Sequence, residues 1–213
     1  MVMRRGHCTA ARDTILRMGT PLIVAIVPAA GRSARMGTAK QLLPVGGRPM
    51  LLGVLDALLG AGGVEAVVLV THSQLRDQIG ELPPDLRVAI NDDPGSAMID
   101  SVRVGLDAAG PCDGYLVCPA DAAGISPDDV RRCADAFGES PDHIIVAGHG
   151  GRRGHPMIFP HALADVVRSR ECDAGLNALA RNRPELVRVI PCGASALANV
   201  NTPEDYDHLS AHA

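Results

Sequence analysis

The chain of 213 residues carries 20 Lys and Arg against 24 Asp and Glu, which gives a formal net charge of −4. Apolar residues make up 46% of it, but aromatic residues only 2%, and Trp is absent. This composition offers neither a basic field nor stacking platforms, so it argues against binding of DNA or RNA. The length suits one α/β domain, whose core must consist of Val, Leu, Ile and Ala.

The cysteine pattern and the apolar runs bear on location. Six cysteines form no Cys-x-x-Cys pair, and dispersed thiols are typical of a reducing cytoplasm. No apolar run reaches the length that crosses a membrane, so no membrane partner is expected. Residues 1–20 lack the apolar stretch of a signal peptide. We expect them to form a flexible N-terminal extension ahead of a single domain at residues 21–213.

Strand-like apolar runs alternate with segments of helical periodicity along the rest of the chain. Strands are predicted at Leu22–Val27, Ala66–Thr71, Arg87–Ile90, Gly114–Cys118, His143–Ala147, Pro156–Phe159 and Val187–Pro191. Helices are predicted at Met50–Ala61, Ser73–Glu81, Ala97–Ala109, Ser126–Phe137, His161–Ser169, Leu176–Asn182 and Pro203–His212. This alternation predicts an α/β fold with a single, mostly parallel, Rossmann-like sheet and helices on both faces.

The first predicted strand leads into a loop that is suited to phosphate. Ile23–Val27 is a β-branched apolar run of the kind that is buried on both faces. The small residues of Pro28–Gly31 follow it, and their backbone N–H groups can converge on an anion. Arg32, Arg35 and Lys40 add fixed positive charges beside that backbone. The alternative is an ordinary strand-to-helix turn with solvated basic residues.

The order of residues from Ala29 to Lys40 is more specific. Ala-Ala-Gly-x-Ser-x-Arg-Met-Gly-x-x-Lys resembles the signature loop of the MobA-like nucleotidyltransferases and lacks both the Walker A and the Rossmann glycine spacing. The resemblance implies that the loop backbone wraps a nucleotide, and that Arg35 and Lys40 neutralise its phosphates in catalysis. The implied nucleotide-binding residues of the loop are Ala29, Ala30, Gly31, Arg32 and Ser33.

A metal site is expected where two other segments end. Asp121 follows the strand at Gly114–Cys118, and a carboxylate that faces a phosphate loop is a natural Mg²⁺ ligand. The segment from Asn199 to Asp205 resembles the closing motif of the family, usually Asp-x-Asp-Thr-Pro-Glu-Asp. The resemblance implies that Asn201 is the second metal ligand, although an amide brings no negative charge. The alternatives are that Asp121 caps its own turn and that Asn201 and Thr202 only cap the last helix.

Two further segments match the family less completely. By the resemblance, Gly95 and Ser101 contact the base and ribose of the nucleotide. Gly151–Phe159 resembles a segment that borders the acceptor pocket, which makes Arg153 and His155 acceptor-binding candidates. Cys172–Asn177 follows the family's Gly-Asp-x-Gly-Ala-Arg only in part, so the segments that should identify the acceptor match least well.

The resemblance implies transfer of a nucleotidyl unit to a phosphate-bearing small molecule, with Mg²⁺ as cofactor. Ala-Ala-Gly is the pattern of pyrimidine users such as the cytidylyltransferases of the molybdenum cofactor, and a methyl group at Ala30 would crowd a purine. We therefore expect CTP as the nucleotide, a molybdopterin-type acceptor and a possible molybdoenzyme partner. The alternatives are a methylerythritol-phosphate or sugar-phosphate nucleotidyltransferase, and a non-catalytic chaperone that binds the nucleotide or cofactor for a molybdoenzyme.

Overall fold

The computed structural model describes residues 19–31, 39–84, 86–200 and 202–210. Of the predicted site residues, Arg32, Ser33, Arg35 and Asn201 lie outside these ranges, and so does most of the expected N-terminal extension. The boundary at residue 20 therefore stays a prediction. Within the described ranges, no helix combines the length and the apolar character that crossing a bilayer requires.

Nine strands and seven α-helices are assigned in the described residues. The strands are β1 (Ile23–Pro28), β2 (Pro44–Val45), β3 (Arg48–Pro49), β4 (Ala66–Thr71), β5 (Leu86–Ile90), β6 (Gly114–Val117), β7 (Ile144–His149), β8 (Arg152–Pro160) and β9 (Val187–Pro191). The helices are α1 (Met50–Gly60), α2 (Ser73–Ile79), α3 (Met98–Ala109), α4 (Pro127–Glu139), α5 (Ala164–Arg168), α6 (Asn177–Asn182) and α7 (Pro203–Ser210). The predicted helix at His161–Ser169 is instead a short 3₁₀ turn, His161–Leu163, followed by α5.

Seven of the strands form one mostly parallel sheet, as the alternation of strands and helices predicted. The strand order is β5-β4-β1-β6-β8-β7-β9, and β2 and β3 form a separate two-stranded ribbon. Strand β8 runs antiparallel to both of its neighbours, whereas the other pairings in the large sheet are parallel. Strand β1 lies between β4 and β6, so the loop that follows it opens at the centre of the sheet.

Both faces of the sheet are covered, because successive residues of the central strands enter two separate cores. On β1, Ala25 and Val27 pack in the core that contains apolar residues of α1, α2 and α4. Val24 and Ile26 pack in the opposite core with α3, α5 and α6. Burial on both faces explains why β1 is a continuous apolar run rather than an alternating one.

The hairpin between β7 and β8 was not predicted. Sequence reasoning placed a strand only at Pro156–Phe159, whereas β8 begins at Arg152. Gly150 and Gly151 have φ of 55° and 77°, and His149 pairs with Arg152. A two-residue Gly-Gly turn with both φ angles positive matches the right-handed twist of a hairpin. The hairpin therefore extends β8 as far as the arginines that precede His155.

Helix α3 approaches β1 closely at a glycine. A Cβ atom at Gly105 would lie 2.3 Å from Cγ2 of Ile26, a side chain with no exposed surface. The neighbouring strand adds a second contact, because the same Cβ would lie 3.2 Å from Cγ2 of Val70. Glycine at this position therefore sets the distance between α3 and the sheet.

We expect Gly105→Ala to lower the free energy of unfolding by about 1–3 kcal/mol, because the added methyl group overpacks a closed core. Gly53 in α1 has open space at its Cβ position and serves as the matched control. Gly53→Ala should leave stability unchanged or raise it by about 0.5–1 kcal/mol, since Ala is the better helix former. Urea titration of both variants measures the difference, and equal stabilities would contradict the close packing of α3.

Candidate active site

A cavity of about 170 Å³ lies at the carboxyl ends of β1 and β6, where ligands bind in open parallel sheets. Its wall joins segments that are far apart in sequence: the loop after β1, the start of α3 and the turn after β6. Its lining consists of Pro28, Ala29, Ala30, Gly31, Lys40, Gln41, Ser96, Ala97, Met98, Ser101, Pro119, Ala120 and Asp121. Five of the predicted nucleotide-binding and catalytic residues therefore line one cavity together with Asp121, the predicted metal ligand. These five are Ala29, Ala30, Gly31, Lys40 and Ser101.

The loop after β1 is held by a side chain that sequence reasoning did not select. Gln41 is 2% exposed, and its Nε2 donates to the carbonyl oxygens of Ala29 at 2.9 Å and Gly31 at 2.7 Å. These two bonds occupy carbonyls that could otherwise turn toward a ligand. Gln41 follows Gly31 by ten residues in the sequence, so this bond holds Gly31 and Gln41 next to each other. The adjacent Lys40-Gln41 pair was the sequence signal for it.

Lys40 connects the loop to the end of β6 and to the C-terminal segment. Its Nζ lies 2.6 Å from Oδ2 of Asp121 and donates to the carbonyl oxygen of Val200 at 2.9 Å. The backbone N–H of Val200 in turn donates to the carbonyl oxygen of Asp121 at 3.1 Å. Both charged side chains are less than one fifth exposed, at 18% for Lys40 and 17% for Asp121. The contact is therefore partly shielded from solvent.

The part of the cavity wall around the start of α3 carries two hydroxyl groups, those of Ser96 and Ser101. Asn91 lies at 9% exposure, and its Nδ2 donates to Oγ of Ser96 at 3.2 Å and to Oγ of Ser101 at 3.0 Å. Ser101 is itself buried, so its hydroxyl is fixed in the cavity wall. Gly95 is not part of this lining; its N–H donates to Asp93 within the turn that precedes Ser96. Of the two base-side candidates, only Ser101 lies in the wall of the cavity.

A second cavity, of about 380 Å³, is lined by the start of β8, by α6 and by the segment before Val200. Its lining consists of Val146, Arg152, Arg153, Gly154, His155, Met157, Asn177, Ala180, Arg181, Leu197 and Asn199. Both acceptor-binding candidates, Arg153 and His155, lie here. Arg181 stands one helical turn after Asn177 on α6 and was not identified from the sequence, because its place depends on how this helix packs.

The C-terminal segment that lines the second cavity lies very close to β8. A Cβ atom at Gly154 would lie 2.0 Å from the carbonyl oxygen of Ala196, so only glycine allows this approach. The 3₁₀ turn at Ala194–Leu197 is fixed from the other side by buried Asp129, which accepts the N–H of Gly193 at 3.0 Å. These two constraints place Asn199 in the same cavity wall as His155.

Two buried polar atoms of this wall have no hydrogen-bond partner among the described residues: Nδ1 of His155 and Oδ1 of Asn199. An unsatisfied buried polar group costs about 1–3 kcal/mol, so a ligand that pairs with it gains affinity. Burial lowers the pKa of His155 below its ordinary value, and the negative charge of Asp121 opposes this shift. Burial therefore favours the neutral form of His155.

The described residues fit a magnesium site with few protein ligands. They contain no group of three or more His, Cys, Asp or Glu side chains that could hold a metal. Mg²⁺ requires fewer, since it takes one or two carboxylates together with phosphate oxygens and water. The carboxylate of Asp121 meets that need and already lies beside a cation, the ammonium group of Lys40. In the closing segment, Oδ2 of Asp205 accepts the N–H of Thr202 at 2.9 Å and so caps the start of α7.

The mostly parallel sheet, with the first cavity at the carboxyl ends of its central strands, defines an α/β protein with the nucleotidyltransferase fold. A model of the MobA-like NTP transferase domain matches residues 25–189. A probable molybdenum cofactor guanylyltransferase of Rhodopirellula baltica is 32% identical over 191 residues, which is 87% of this chain and 90% of the relative. The chain belongs to the MobA-like NTP transferase family.

Two further similarities widen the range of relatives. A 2-C-methyl-D-erythritol 4-phosphate cytidylyltransferase of Nocardia farcinica is 38% identical over 110 residues, or 49% of this chain and 46% of the relative. The crystal structure of Rv0371c from Mycobacterium tuberculosis superposes with a TM-score of 0.81 at 26% identity, covering 91% of this chain and all of the other. The relatives thus include both guanylyl and cytidylyl transferases.

We expect Gln41→Met to raise the KM for nucleotide about tenfold with a smaller change in kcat, because the loss of two buried hydrogen bonds loosens the loop. Steady-state kinetics with varied nucleotide measures this effect. Gln74→Met on the exposed face of α2 is the matched control and should change neither constant. An unaltered KM in Gln41→Met would show that Gln41 does not position the loop.

Proposed function

We propose that this protein transfers a CMP unit from CTP to a phosphate-bearing acceptor, with release of pyrophosphate. The observation that carries the proposal is the contact between Lys40 and Asp121, which lies in the wall of the first cavity and is tied to the segment that lines the second. A nucleotide in the first cavity and an acceptor in the second would place their phosphates on either side of this contact. Membership of a nucleotidyltransferase family supports the proposal.

In the proposed reaction, an oxygen of the acceptor phosphate attacks the α-phosphorus of CTP. The new bond joins this oxygen to the α-phosphorus, and the bond from the α-phosphorus to the bridging oxygen breaks, so the electron pair leaves with pyrophosphate. Such a transfer asks for alignment and charge neutralisation more than for covalent chemistry. Lys40 and Arg35 would neutralise the transferring and leaving phosphates, while the loop from Ala29 to Ser33 holds the nucleotide.

Asp121, together with Asn201, would hold Mg²⁺. When bound, the ion neutralises negative charge that develops on the phosphate oxygens. The ammonium group of Lys40 lies 2.6 Å from Oδ2 of Asp121. We propose that Lys40 moves onto the phosphates when the nucleotide and the ion enter. The carboxylate would then exchange one positive partner for another and would not be left as an isolated charge.

The choice of CTP rests on Ala30. This residue is 8% exposed and lines the first cavity. In our proposal, its methyl group would take space that a purine needs. The relative from Nocardia farcinica, named as a cytidylyltransferase, agrees with this choice. The relative from Rhodopirellula baltica, named as a probable guanylyltransferase of the molybdenum cofactor, favours GTP as the second candidate and a molybdopterin-type acceptor in either case.

The proposal also covers the acceptor, a protein partner and the location in the cell. A methylerythritol phosphate or a sugar phosphate is the alternative acceptor, and a molybdoenzyme is the proposed recipient of a finished cofactor. A cytoplasmic location is proposed because the five cysteines of the described residues are free thiols. The rival of another class is a chaperone that binds nucleotide or cofactor and transfers no group.

Release of pyrophosphate separates these functions. ATP, CTP, GTP and UTP are each incubated with the protein, Mg²⁺ and one of three acceptors: molybdopterin, methylerythritol phosphate or a sugar 1-phosphate. Acceptor-dependent release that is largest with CTP supports the proposal, and release that is largest with GTP supports the second candidate. Nucleotide binding without any release would establish the chaperone alternative.

We expect Lys40→Ala to lower kcat about 10²- to 10³-fold, because it removes a positive charge from the phosphates in the transition state. The fold should persist, since the side chain lies in a cavity wall and outside both cores. Arg48→Ala removes a cation that is 61% exposed and pairs with Asp56, so it should leave turnover unchanged. Near-normal turnover by Lys40→Ala would contradict the proposed mechanism.

Ala30→Gly tests the nucleotide preference. Removal of the methyl group should raise the ratio of kcat/KM for GTP over CTP about tenfold, which is the usual worth of one small group in a pocket. Ala39→Gly lies outside the lining and controls for added flexibility near the loop. If Ala30→Gly changes both nucleotides equally, the methyl group does not exclude purines.

A further inference from the structure

Two buried cysteines lie side by side where helix α4 meets the segment that follows β9. The Sγ atoms of Cys133 and Cys192 are 4.0 Å apart, although 59 positions separate the two residues in the sequence. Cys133 has no exposed surface, and Cys192 is 8% exposed. Among the described residues, no other pair of free thiols makes such a contact.

Helix α4 presents two groups to this segment from one face. Asp129 and Cys133 are four residues apart on the helix, so their side chains project from the same side. The carboxylate of Asp129 accepts the N–H of Gly193 at 3.0 Å and the hydroxyl of Ser195 at 3.3 Å. The backbone next to Cys192 is therefore fixed by an independent hydrogen bond, which keeps the two sulfur atoms next to each other.

Their surroundings make the two thiols chemically different. The hydrogen bond with the thiol of Cys133 lowers the pKa of Cys192, although burial and the negative charge of Asp129 oppose this shift. The same hydrogen bond, together with burial, raises the pKa of Cys133. Since the thiolate is the nucleophile, Cys192 is the thiol that reacts first, and it is also the one with exposed surface.

We infer that Cys133 and Cys192 form a redox pair, which an oxidant of the peroxide class converts to a disulfide between α4 and the segment after β9. The thiolate of Cys192 attacks one oxygen of hydrogen peroxide, which forms a sulfenic acid and releases hydroxide. The thiol of Cys133 then attacks the sulfur of the sulfenic acid, and water leaves as the S–S bond forms. The pair loses two electrons and two protons, and the peroxide gains them and becomes two water molecules.

The disulfide would act on the wall of the second cavity. An S–S bond is about 2.05 Å long, so the sulfur atoms must approach by about 2 Å, which rotation about the Cα–Cβ bonds allows. The segment that begins at Cys192 continues to Leu197 and Asn199, which line the second cavity. Oxidation therefore attaches this wall covalently to α4. Disulfides of this kind in a reducing compartment are transient and redox-sensing, and the inference does not depend on nucleotidyl transfer.

The test treats the full chain with hydrogen peroxide under native conditions, alkylates the remaining thiols and digests the protein with trypsin without reduction. Trypsin cleaves after Arg132, Arg152 and Arg188, which places Cys133 in residues 133–152 and Cys192 in residues 189–213. Mass spectrometry then distinguishes this pairing from any that involves the other cysteines, which lie in different tryptic peptides: Cys8, Cys112, Cys118 and Cys172.

We expect the cross-link between residues 133–152 and 189–213 to exceed every other pairing at least about tenfold, because a disulfide requires sulfur atoms that already lie close together. Dithiothreitol should reverse it. Concentrated guanidinium chloride should abolish the selectivity, since it unfolds the chain. A dominant pairing with another cysteine, a disulfide between two chains, or the same selectivity in the unfolded chain would overturn the inference.

Two substitutions test the order of the steps. In Cys133→Ser, Cys192 should stop at the sulfenic acid, which dimedone traps. Cys192→Ser should give neither the cross-link nor a dimedone adduct at Cys133, because that thiol has no exposed surface. Cys112→Ser removes a partly exposed free thiol and is the matched control, which should keep the cross-link. Absence of a dimedone adduct in Cys133→Ser would contradict the assignment of Cys192 as the attacking thiol.

Discussion

The adjacency of β1 and β6 is the constraint on which the site depends. Ile26 pairs with Val117 in parallel register, so the two strands end at the same edge of the sheet. The loop after β1 and the turn before Asp121 must therefore meet there, although about ninety residues separate them. Lys40 closes this junction by contacting both Asp121 and Val200. Every residue that we assign to catalysis or metal binding, and that the structure describes, lies within this junction.

Charge is divided unequally between the two cavities that flank the junction. The first contains a cation paired with a carboxylate, which suits the polyphosphate and the metal ion that we propose for it. The second contains three arginines and no described carboxylate, which suits an anion without a metal. The same edge of the sheet can therefore hold two negatively charged molecules in two separate cavities.

Close approaches of the backbone give both cavities their walls. Gly105 allows α3 to lie against β1, and Gly154 allows the C-terminal segment to cross β8. Buried Asp129 fixes the same segment from α4 through the N–H of Gly193. None of these residues lines the first cavity, yet each one determines where a lining element stands. Substitutions far from the chemistry are thus expected to act on the site through the spacing of these elements.

Periodicity predicted most of the fold because both faces of the sheet are buried. Strands β4 and β9 were predicted with the bounds that the structure gives them, and β1 differs by one residue at each end. The β7–β8 hairpin was missed, because Gly151–Phe159 was assigned to the acceptor pocket by resemblance and the Gly-Gly turn before it was not considered. For the site, the ordered string from Ala29 to Lys40 pointed to the first cavity, since its two described ends, Ala29–Gly31 and Lys40, both line that cavity.

The sequence by itself determined the fold class, the family and the loop after β1 that lines the first cavity, because these depend on local order and on apolar periodicity. The tertiary structure decided which distant groups face each other. Three features of the site depend on packing between elements. They are the bonds of Gln41 to the loop, the contact of Lys40 with Asp121, and the place of Arg181 in the same cavity lining as the hairpin arginines. Their sequence separations carry no periodic signal, and so only the folded chain brings them together.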